Sequence, residues 1–247
     1  MANITIVVPF FKELDQINKT VQSVALQDYW QKKSGFEILI CNDGPHSKDE
    51  ILAVIDKRLH ENIRILNNRG EKGPGPARNI GINNAKFEYI AFLDADDIWH
   101  ENKISLQMEK AKKGYNFICT GYFLGERIKI TPPKKIKNPF DIYIKRGLGS
   151  STILVTKELV GKKRFTSLRY SQDIEFWYKL SCSDQFKYYA VNKYVVKYSR
   201  HGSTKNKFTQ LIYFYKSMQR NNIVLFKRLF AMLSYIIIGI RNHYLRS

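Results

Sequence analysis

Short apolar runs recur along the first half of the chain and are separated by segments with helical spacing. These runs lie at residues 4–8, 36–41, 63–66 and 89–93, and each has the length of a buried strand. After the first run, Ile17, Val21 and Val24 repeat at the spacing of a helix that buries one face. The pattern therefore predicts strands that are connected through helices.

Two of the predicted helices have recognisable first turns. Ser47 is followed three residues later by Glu50, which is the spacing of a capping box. Pro76 has the fixed φ that suits the first turn of a helix running through Ile82. Strands that alternate with helices predict an α/β fold, with a mostly parallel central sheet flanked by helices on both faces.

Several polar segments directly follow the predicted strands. In an open α/β sheet, ligands bind outside the carboxyl ends of the strands. That rule selects Pro9, Asp43, residues 67–78 and residues 94–97, because each comes directly after a predicted strand. We expect these segments to meet at one edge of the sheet.

Three aspartates follow the fourth predicted strand, at Asp94, Asp96 and Asp97. Side chains at i and i+2 of an extended chain point the same way, so Asp94 and Asp96 can converge on one cation. Mg²⁺ and Mn²⁺ prefer carboxylate and phosphate oxygens. The alternative is that Asp97 caps a helix beginning near Ile98 and that the other two are solvated turn residues. The aspartates taken alone do not decide between these interpretations.

Asp43 and Arg78 add two groups that suit a nucleotide. Asp43 precedes a glycine at the end of the second predicted strand, where its carboxylate could accept a hydrogen bond from the imide of a uracil base. Arg78 lies in the first turn of a helix that follows a Gly- and Pro-rich turn at residues 73–76. A helix N-terminus and an arginine both favour phosphate, although an ordinary Gly/Pro loop is the alternative.

The positive charge of the chain is confined to its second half. The net charge is +19, yet residues 1–123 contain 16 Lys and Arg against 16 Asp and Glu, and the rest contains 25 against 6. Asp184 is the last acidic residue. A segment with only positive side-chain charge suits a polyanionic surface such as anionic lipid or nucleic acid.

From Lys207 onward the pattern is helical, with apolar and basic residues interleaved. Residues 229–240 are strongly apolar, but a spanning helix needs roughly 20 such residues. This helix is therefore expected either to lie in a membrane interface or to pack on the rest of the protein.

The cysteines and the start of the chain bear on the cellular setting. Cys41, Cys119 and Cys182 lack metal-binding spacing and are expected to be buried. Neither a basic start nor a small-residue cleavage site precedes the first apolar run, so no signal peptide is expected and the catalytic part is expected to face the cytosol.

Four motifs together resemble the family 2 glycosyltransferases of the GT-A fold. They are VVPFFKE at residues 7–13, CNDG at 41–44, ARNIG at 77–81 and FLDADD at 92–97. In the second half, GSST at 149–152 precedes SQDIEFW at 171–177, which is similar to the acidic pair that begins a helix in this family. The sequence departs from the family pattern at Lys12, Asn42 and Gln172.

The resemblance implies an inverting glycosyltransferase that uses Mn²⁺ or Mg²⁺. It makes Asp173 the catalytic base, with the departure at Gln172 bearing on acceptor binding. It places Asp94, Asp96 and His201 on the metal, although His201 alone could equally be a lone surface histidine. The residues that it places around the nucleotide sugar are Pro9, Phe11, Glu13, Asp43, Arg78, Asp94, Ala95 and Asp96.

These features predict a domain over residues 1–205 with a nucleotide-sugar half at 1–123 and an acceptor half at 124–205. Residues 206–247 are predicted to be a basic amphipathic tail on an anionic membrane surface, which makes the protein cytoplasmic and peripheral on the inner face of the cell membrane. The predicted reaction moves a hexose-type sugar, with a UDP-sugar favoured, to a hydroxyl of a glycan or lipid-linked glycan in bacterial surface polysaccharide synthesis, such as capsule or lipopolysaccharide. Nucleic acid is not an expected partner.

Two other functions compete with this prediction. A nucleic-acid-binding protein would use the charge and the aromatic residues, but gains nothing from acids at strand ends. A sugar nucleotidyltransferase shares the α/β layout, but usually has a glycine-rich loop after its first strand, and residues 9–13 contain no glycine.

Overall fold

The computed structural model describes residues 2–32, 35–199 and 206–244. Within these ranges, nine strands form one sheet. Their bounds are β1 Ile4–Phe10, β2 Phe36–Asn42, β3 Ile63–Asn67, β4 Tyr89–Phe92, β5 Ile98–Trp99, β6 Phe117–Leu124, β7 Ile128–Ile130, β8 Leu154–Thr156 and β9 Tyr188–Tyr198. The four predicted strands correspond to β1–β4.

Helices cover both faces of the sheet and continue past its last strand. In chain order they are α1 Leu14–Ala25, α2 Lys48–Ala53, α3 Pro74–Asn84, α4 Lys103–Ala111, α5 Asp141–Ile144, α6 Lys157–Val160, α7 Gln172–Ser181, α8 Lys207–Arg220 and α9 Leu225–Tyr244. The predicted capping box is present, because Ser47 Oγ accepts from Glu50 N and the Glu50 carboxylate accepts from Ser47 N. Helix α3 begins at Pro74, two residues before the predicted Pro76.

The sheet is parallel in its first half and mixed in its second. Its order is β3-β2-β1-β4-β8-β6-β9-β5, with β7 paired to β6. Strands β3, β2, β1 and β4 are parallel, whereas β8 runs antiparallel to both β4 and β6. The predicted α/β class with helices on both faces is confirmed, and the parallel half carries the predicted polar segments at its carboxyl edge.

Strand β1 is buried along its whole length and contributes to a core on each face of the sheet. Ile4, Ile6 and Val8 face a cluster that includes side chains of α1 and α4. Val7 faces the other cluster, which includes side chains of α3 and α7. Because neighbouring side chains of a strand point to opposite faces, a strand covered on both sides is apolar at most positions. The one polar side chain of β1, Thr5, donates a hydrogen bond to Glu37 Oε1 at 2.7 Å.

Close packing of α3 on β1 positions the first turn of that helix at the sheet edge. A Cβ atom at Gly81 would lie only 2.3 Å from Val7 Cγ1, so glycine permits this approach. Arg78 lies three residues earlier on the same helix and is buried. The packing thereby fixes the Arg78 side chain beside the ends of β1 and β4.

The expected burial of Cys182 is wrong, and so is the alternative in which Asp97 caps a helix. Residues Ile98–Trp99 form β5, which pairs with β9, and the next helix begins at Lys103, so Asp97 does not cap a helix there. The short strand forms because a distant part of the chain supplies its partner. Cys182 is exposed, whereas Cys41 and Cys119 are buried, because Cys182 lies just past the end of α7.

Helices α8 and α9 pack on the second half of the protein around Tyr143. Phe214 and Met218 of α8 and Ala231 of α9 form a third apolar cluster with that ring. The Tyr143 hydroxyl donates a hydrogen bond to Ser217 O at 3.2 Å. Within the described residues, no helix combines the length and the apolar character that crossing a bilayer requires.

Candidate active site

A cleft of about 560 Å³ opens where β1, β2 and β4 end. The loop after α5, the segment that leads into α7 and the first turn of α7, which includes Asp173, complete its lining. Apart from Asp173, the predicted site residues that line the cleft are Pro9, Phe11, Glu13, Asp43, Arg78, Asp94, Ala95 and Asp96. His201 lies outside the described residues. The carboxylates at the strand ends and the predicted base therefore share one cavity.

Asp43 is held rigidly by the loop that follows β3. Its Oδ1 accepts from Asn68 Nδ2 at 2.6 Å and its Oδ2 accepts from the backbone N–H of Gly73 at 2.7 Å. Lys72 Nζ lies 3.8 Å from Oδ1. These contacts join the end of β2 to the start of α3 and fix a carboxylate on the cleft wall.

The turn after β1 is closed by Glu13, whose Oε2 accepts from the backbone N–H groups of Phe11 and Lys12, both at 2.8 Å. Phe11 is left exposed at the rim of the cleft. Gly44 lies directly beneath this turn, since a Cβ there would overlap Phe11 O. The turn therefore has a fixed shape and presents an aromatic ring to the cleft.

Arg78 forms an ion pair with Asp94, with Nη2 donating to Oδ1 at 2.5 Å. The guanidinium is almost fully buried and lies over the Phe165 ring, 5.5 Å from its centroid. Within the described residues, its Nε and Nη1 have no hydrogen-bond acceptor. A buried cation with unsatisfied donors favours an anion beside it.

Asp97 is the structural member of the aspartate cluster. Its Oδ2 accepts from Ser151 Oγ at 2.6 Å, and its Oδ1 accepts from Ser199 N at 3.0 Å. Ser151 Oγ also accepts from Asp94 N at 3.0 Å, and Ser151 N donates to Tyr198 Oη at 2.8 Å. Burial, followed by the charge of Asp94, holds the pKa of Asp97 well above its ordinary value. Ser151 thus joins the first half of the protein to the second.

Asp94 and Asp96 remain as candidate metal ligands. The pKa of Asp96 is raised, first by burial and then by the negative charges of Asp94 and Glu13. In the described part of the chain, no group of three or more His, Cys, Asp and Glu residues is arranged to hold a metal. Two carboxylates do fit Mg²⁺ or Mn²⁺, which commonly take one or two carboxylates and complete their coordination with substrate phosphates and water.

Asp173 lies in the first turn of α7, two residues after Ser171, whose backbone geometry is unusual. Ser171 has a φ of 61°, in the left-handed region, and its side chain makes no capping hydrogen bond. Asp173 Oδ1 accepts from Ile174 N at 2.8 Å. Burial raises the pKa of Asp173, and the positive charge of Arg78 offsets part of this increase. Such strain commonly occurs at functional sites.

Several residues that shape the site were not selected from the sequence. Tyr198 Oη accepts a hydrogen bond from Ser151 N, although the two residues are 47 positions apart. Ser151 belongs to the GSST motif, which was a usable signal, whereas Tyr198 carried none. Arg146, Arg169 and Tyr235 also line the cleft and come from three separate segments.

Comparison with known proteins identifies the family of this chain and proteins that are similar to it. The family model described as glycosyl transferase family 2 matches residues 5–160. WfgD of Escherichia coli, a UDP-Glc:alpha-D-GlcNAc-diphosphoundecaprenol beta-1,3-glucosyltransferase, is 27% identical over 262 aligned positions. The alignment covers 97% of this chain and 94% of WfgD.

Two solved structures share the fold at low sequence identity. A fragment of S. aureus TarS in complex with UDP-GlcNAc matches with a TM-score of 0.66 and 20% identity, covering 89% of this chain and 65% of that fragment. The mannosyltransferase PcManGT from Pyrobaculum calidifontis, in complex with GDP-Man and Mn²⁺, matches with a TM-score of 0.65 and 14% identity, covering 94% of this chain and 69% of PcManGT. These matches confirm the predicted GT-A fold.

Proposed function

Because this chain belongs to glycosyl transferase family 2 and is a glycosyltransferase, we propose that it moves a hexose-type sugar from a UDP-sugar to a hydroxyl group of a lipid-linked glycan. The observation that carries the proposal is the shared cleft, which is lined both by Asp173 and by Asp43, Arg78, Asp94 and Asp96. Family membership disfavours the two competing functions, a nucleic-acid-binding protein and a sugar nucleotidyltransferase.

In this proposal residues 1–123 bind the donor and residues 124–205 bind the acceptor. Asp43, held by Asn68 and Gly73, faces the nucleotide base, and Arg78 faces the diphosphate. The UDP-GlcNAc bound to TarS and the UDP-Glc in the name of WfgD support a UDP-sugar donor. The acceptor in the name of WfgD supports a sugar that is linked to a lipid through a diphosphate as the acceptor, and a role in surface polysaccharide synthesis.

The proposed reaction is a single displacement. Asp173 takes the proton of the acceptor hydroxyl while that oxygen forms a bond to the anomeric carbon of the donor sugar. The bond between that carbon and the diphosphate oxygen breaks, and its electron pair leaves with the diphosphate. Arg78 lies beside the group that gains negative charge. One displacement inverts the anomeric configuration.

A divalent cation, Mn²⁺ or Mg²⁺, would be held by Asp94 and Asp96, with His201 as the predicted third protein ligand. The raised pKa of Asp96, caused by burial and by the charge of Asp94, supports this assignment because a cation would relieve the repulsion between the two carboxylates. When bound, such a cation neutralises negative charge on a departing diphosphate. The Mn²⁺ bound to PcManGT also supports it.

A screen of nucleotide sugars tests the proposed function. Release of UDP from UDP-glucose, UDP-galactose and UDP-GlcNAc should be measured with Mn²⁺, with Mg²⁺ and with EDTA. We expect turnover of at least one UDP-sugar that requires metal and is lost in Asp96→Ala, while Asp184→Ala, an exposed aspartate outside the cleft, retains it. Turnover that is unaffected by both EDTA and Asp96→Ala would remove the metal from the proposal, and no turnover of any nucleotide sugar would remove the function.

The proposal also places the tail, residues 206–247, on an anionic membrane surface at the inner face of the cell membrane. One face of α9 packs on the protein through Ala231, whereas its opposite face is exposed and apolar. That face consists of Leu225, Phe226, Leu229, Phe230, Leu233, Ile236 and Ile237. An exposed apolar patch of this kind marks an interaction surface, and the basic residues around it favour anionic lipid.

Substitutions on this face separate membrane binding from folding. Phe226→Ser, Phe230→Ser and Leu233→Ser combined should abolish co-sedimentation with phosphatidylglycerol vesicles, while Leu26→Ser, at a residue that is 72% exposed elsewhere, should not. Unchanged vesicle binding by the triple variant would contradict the proposal. If the triple substitution instead converts a dimer to a monomer and leaves vesicle binding unchanged, the face is an interface between copies of this chain.

A further inference from the structure

The two halves of the protein contribute different charges to the lining of the cleft. Residues 1–123 contribute four carboxylates and Arg78, whereas the second half contributes Lys145, Arg146 and Arg169 in addition to Asp173. Lys145 already has partners within the protein, since its Nζ lies 2.7 Å from Asp141 Oδ2 and 3.0 Å from Lys135 O. Arg146 and Arg169 are exposed, and within residues 2–32, 35–199 and 206–244 neither is paired with a carboxylate.

Arg146 is held at the edge of the cleft by both the loop and α9. The next residue, Gly147, has a φ of 105°, and a Cβ there would lie 2.6 Å from Thr131 O, so this loop packs tightly on the neighbouring segment. The Arg146 guanidinium stacks on the ring of Tyr235, 4.1 Å from its centroid, and Tyr235 Oη lies 3.1 Å from Gln210 Oε1. Helices α8 and α9 therefore hold the Arg146 guanidinium at the edge of the cavity.

Arg169 comes from the segment that leads directly to the predicted base. It lies four residues before Asp173 and precedes Tyr170, whose ring packs edge-on against Tyr213 of α8 at 5.3 Å. Both arginines therefore belong to the half of the lining that contains Asp173, which takes the proton of the acceptor hydroxyl in the proposed reaction. The donor diphosphate is proposed to lie beside Arg78.

We propose that Arg146 and Arg169 form a subsite for the phosphate or diphosphate group of the acceptor. The inference rests on the proposed function, because it assigns the acceptor side of the same cleft. Guanidinium groups bind phosphate oxygens through two parallel hydrogen bonds, and stacking on an aromatic ring orients them for this. A sugar held between Asp173 and these arginines has its hydroxyl at the base and its phosphate at the cleft edge, beside α9.

The experiment compares two soluble acceptors, one with a diphosphate group and one without. One is GlcNAc linked to an octyl chain through a diphosphate, and the other is the neutral octyl glycoside of GlcNAc. In the wild-type enzyme we expect kcat/KM to be higher for the diphospho acceptor. Arg146→Gln and Arg169→Gln should each lower this preference about tenfold or more, as expected for charge-assisted hydrogen bonds. Arg127→Gln, at an exposed arginine outside the cleft, should retain it.

Calorimetric binding of the diphospho acceptor in the presence of UDP gives a second readout. The affinity for the diphospho acceptor should fall in both variants by the same factor as the acceptor preference. Equal binding of the two acceptors by the wild type, or a loss that falls on the KM of the donor, overturns the subsite. Weakened binding to phosphatidylglycerol vesicles without any change in acceptor preference would make the arginines a contact for lipid headgroups and would likewise overturn it. Failure of the proposed function itself is distinguishable, because no nucleotide sugar would then turn over.

Discussion

Burial controls the protonation of Asp173. Its pKa is raised because burial removes water from the carboxylate, and the nearby positive charge of Arg78 only partly offsets this. A general base must be deprotonated, so kcat/KM should fall as the pH is lowered. The midpoint of this fall should lie above about 3.9, the ordinary value for aspartate. A pH–rate profile measures it.

The control for this profile is Asp173→Asn, because Asp96 also has a raised pKa and could produce a similar fall. The pH–rate profile of the variant's residual activity should lack the fall at low pH that protonation of Asp173 causes. An acidic limb with an unchanged midpoint in the variant would assign the titration to another group.

The charged form of Asp96 is expected to lower the stability of the folded protein. Its pKa is raised in the folded protein by burial and by Asp94, so its charged form destabilises the fold at pH values above that pKa. In EDTA at pH 7, Asp96→Asn should raise Tm, and this difference should shrink as the pH falls and Asp96 is protonated. Differential scanning calorimetry tests this, with exposed Asp184→Asn expected to leave Tm unchanged.

The first turn of α3 brings the two halves of the site together. A Cβ at Gly75 would lie 2.2 Å from Thr166 O, in the segment that leads to Asp173. Gly75→Ala must therefore push the helix and that backbone apart, and should lower the free energy of unfolding by about 1–3 kcal/mol and reduce kcat. Urea unfolding measures this change. At Gly70 the nearest atom is 3.7 Å away, so Gly70→Ala should have little effect, and equal losses in both variants would contradict the packing argument.

Elements with a complete local pattern could be predicted, and elements that depend on distant partners could not. Strand β1 is apolar at each central position because both of its faces are covered, and the capping box of α2 is visible in four consecutive residues. Strand β5 has two residues and exists only because β9 pairs with it. Nothing near residue 98 reveals that partner.

The same distinction applies to the site. Asp43 and Asp94 follow strands whose carboxyl ends meet at one edge, so their proximity follows from the topology of the sheet. The contact between Ser151 and Tyr198, and the stacking of Arg146 on Tyr235, depend on how separate loops and helices pack. Residue spacing carries no information about such contacts.

Basic and acidic residues are distributed unevenly between the two halves of the protein. The half that carries the strand-end aspartates has equal numbers of basic and acidic residues, and the second half carries the whole excess of +19. The basic second half includes Arg146 and Arg169 of the cleft and the helix whose apolar face is exposed. This asymmetry agrees with the proposed acceptor, a charged lipid-linked sugar, and with the proposed anionic surface.

The central claim is that Asp173 takes the proton of an acceptor hydroxyl that attacks a donor bound in the same cleft, and Asp173→Asn tests it most directly. The substitution keeps an oxygen that can accept from Ile174 N, so the fold should be retained. Calorimetry should give an unchanged Kd for UDP, whereas the rate of sugar transfer should fall by roughly 10²- to 10⁴-fold, the usual contribution of a positioned base. Transfer at the wild-type rate, or loss of UDP binding in proportion to the loss of transfer, would contradict the claim.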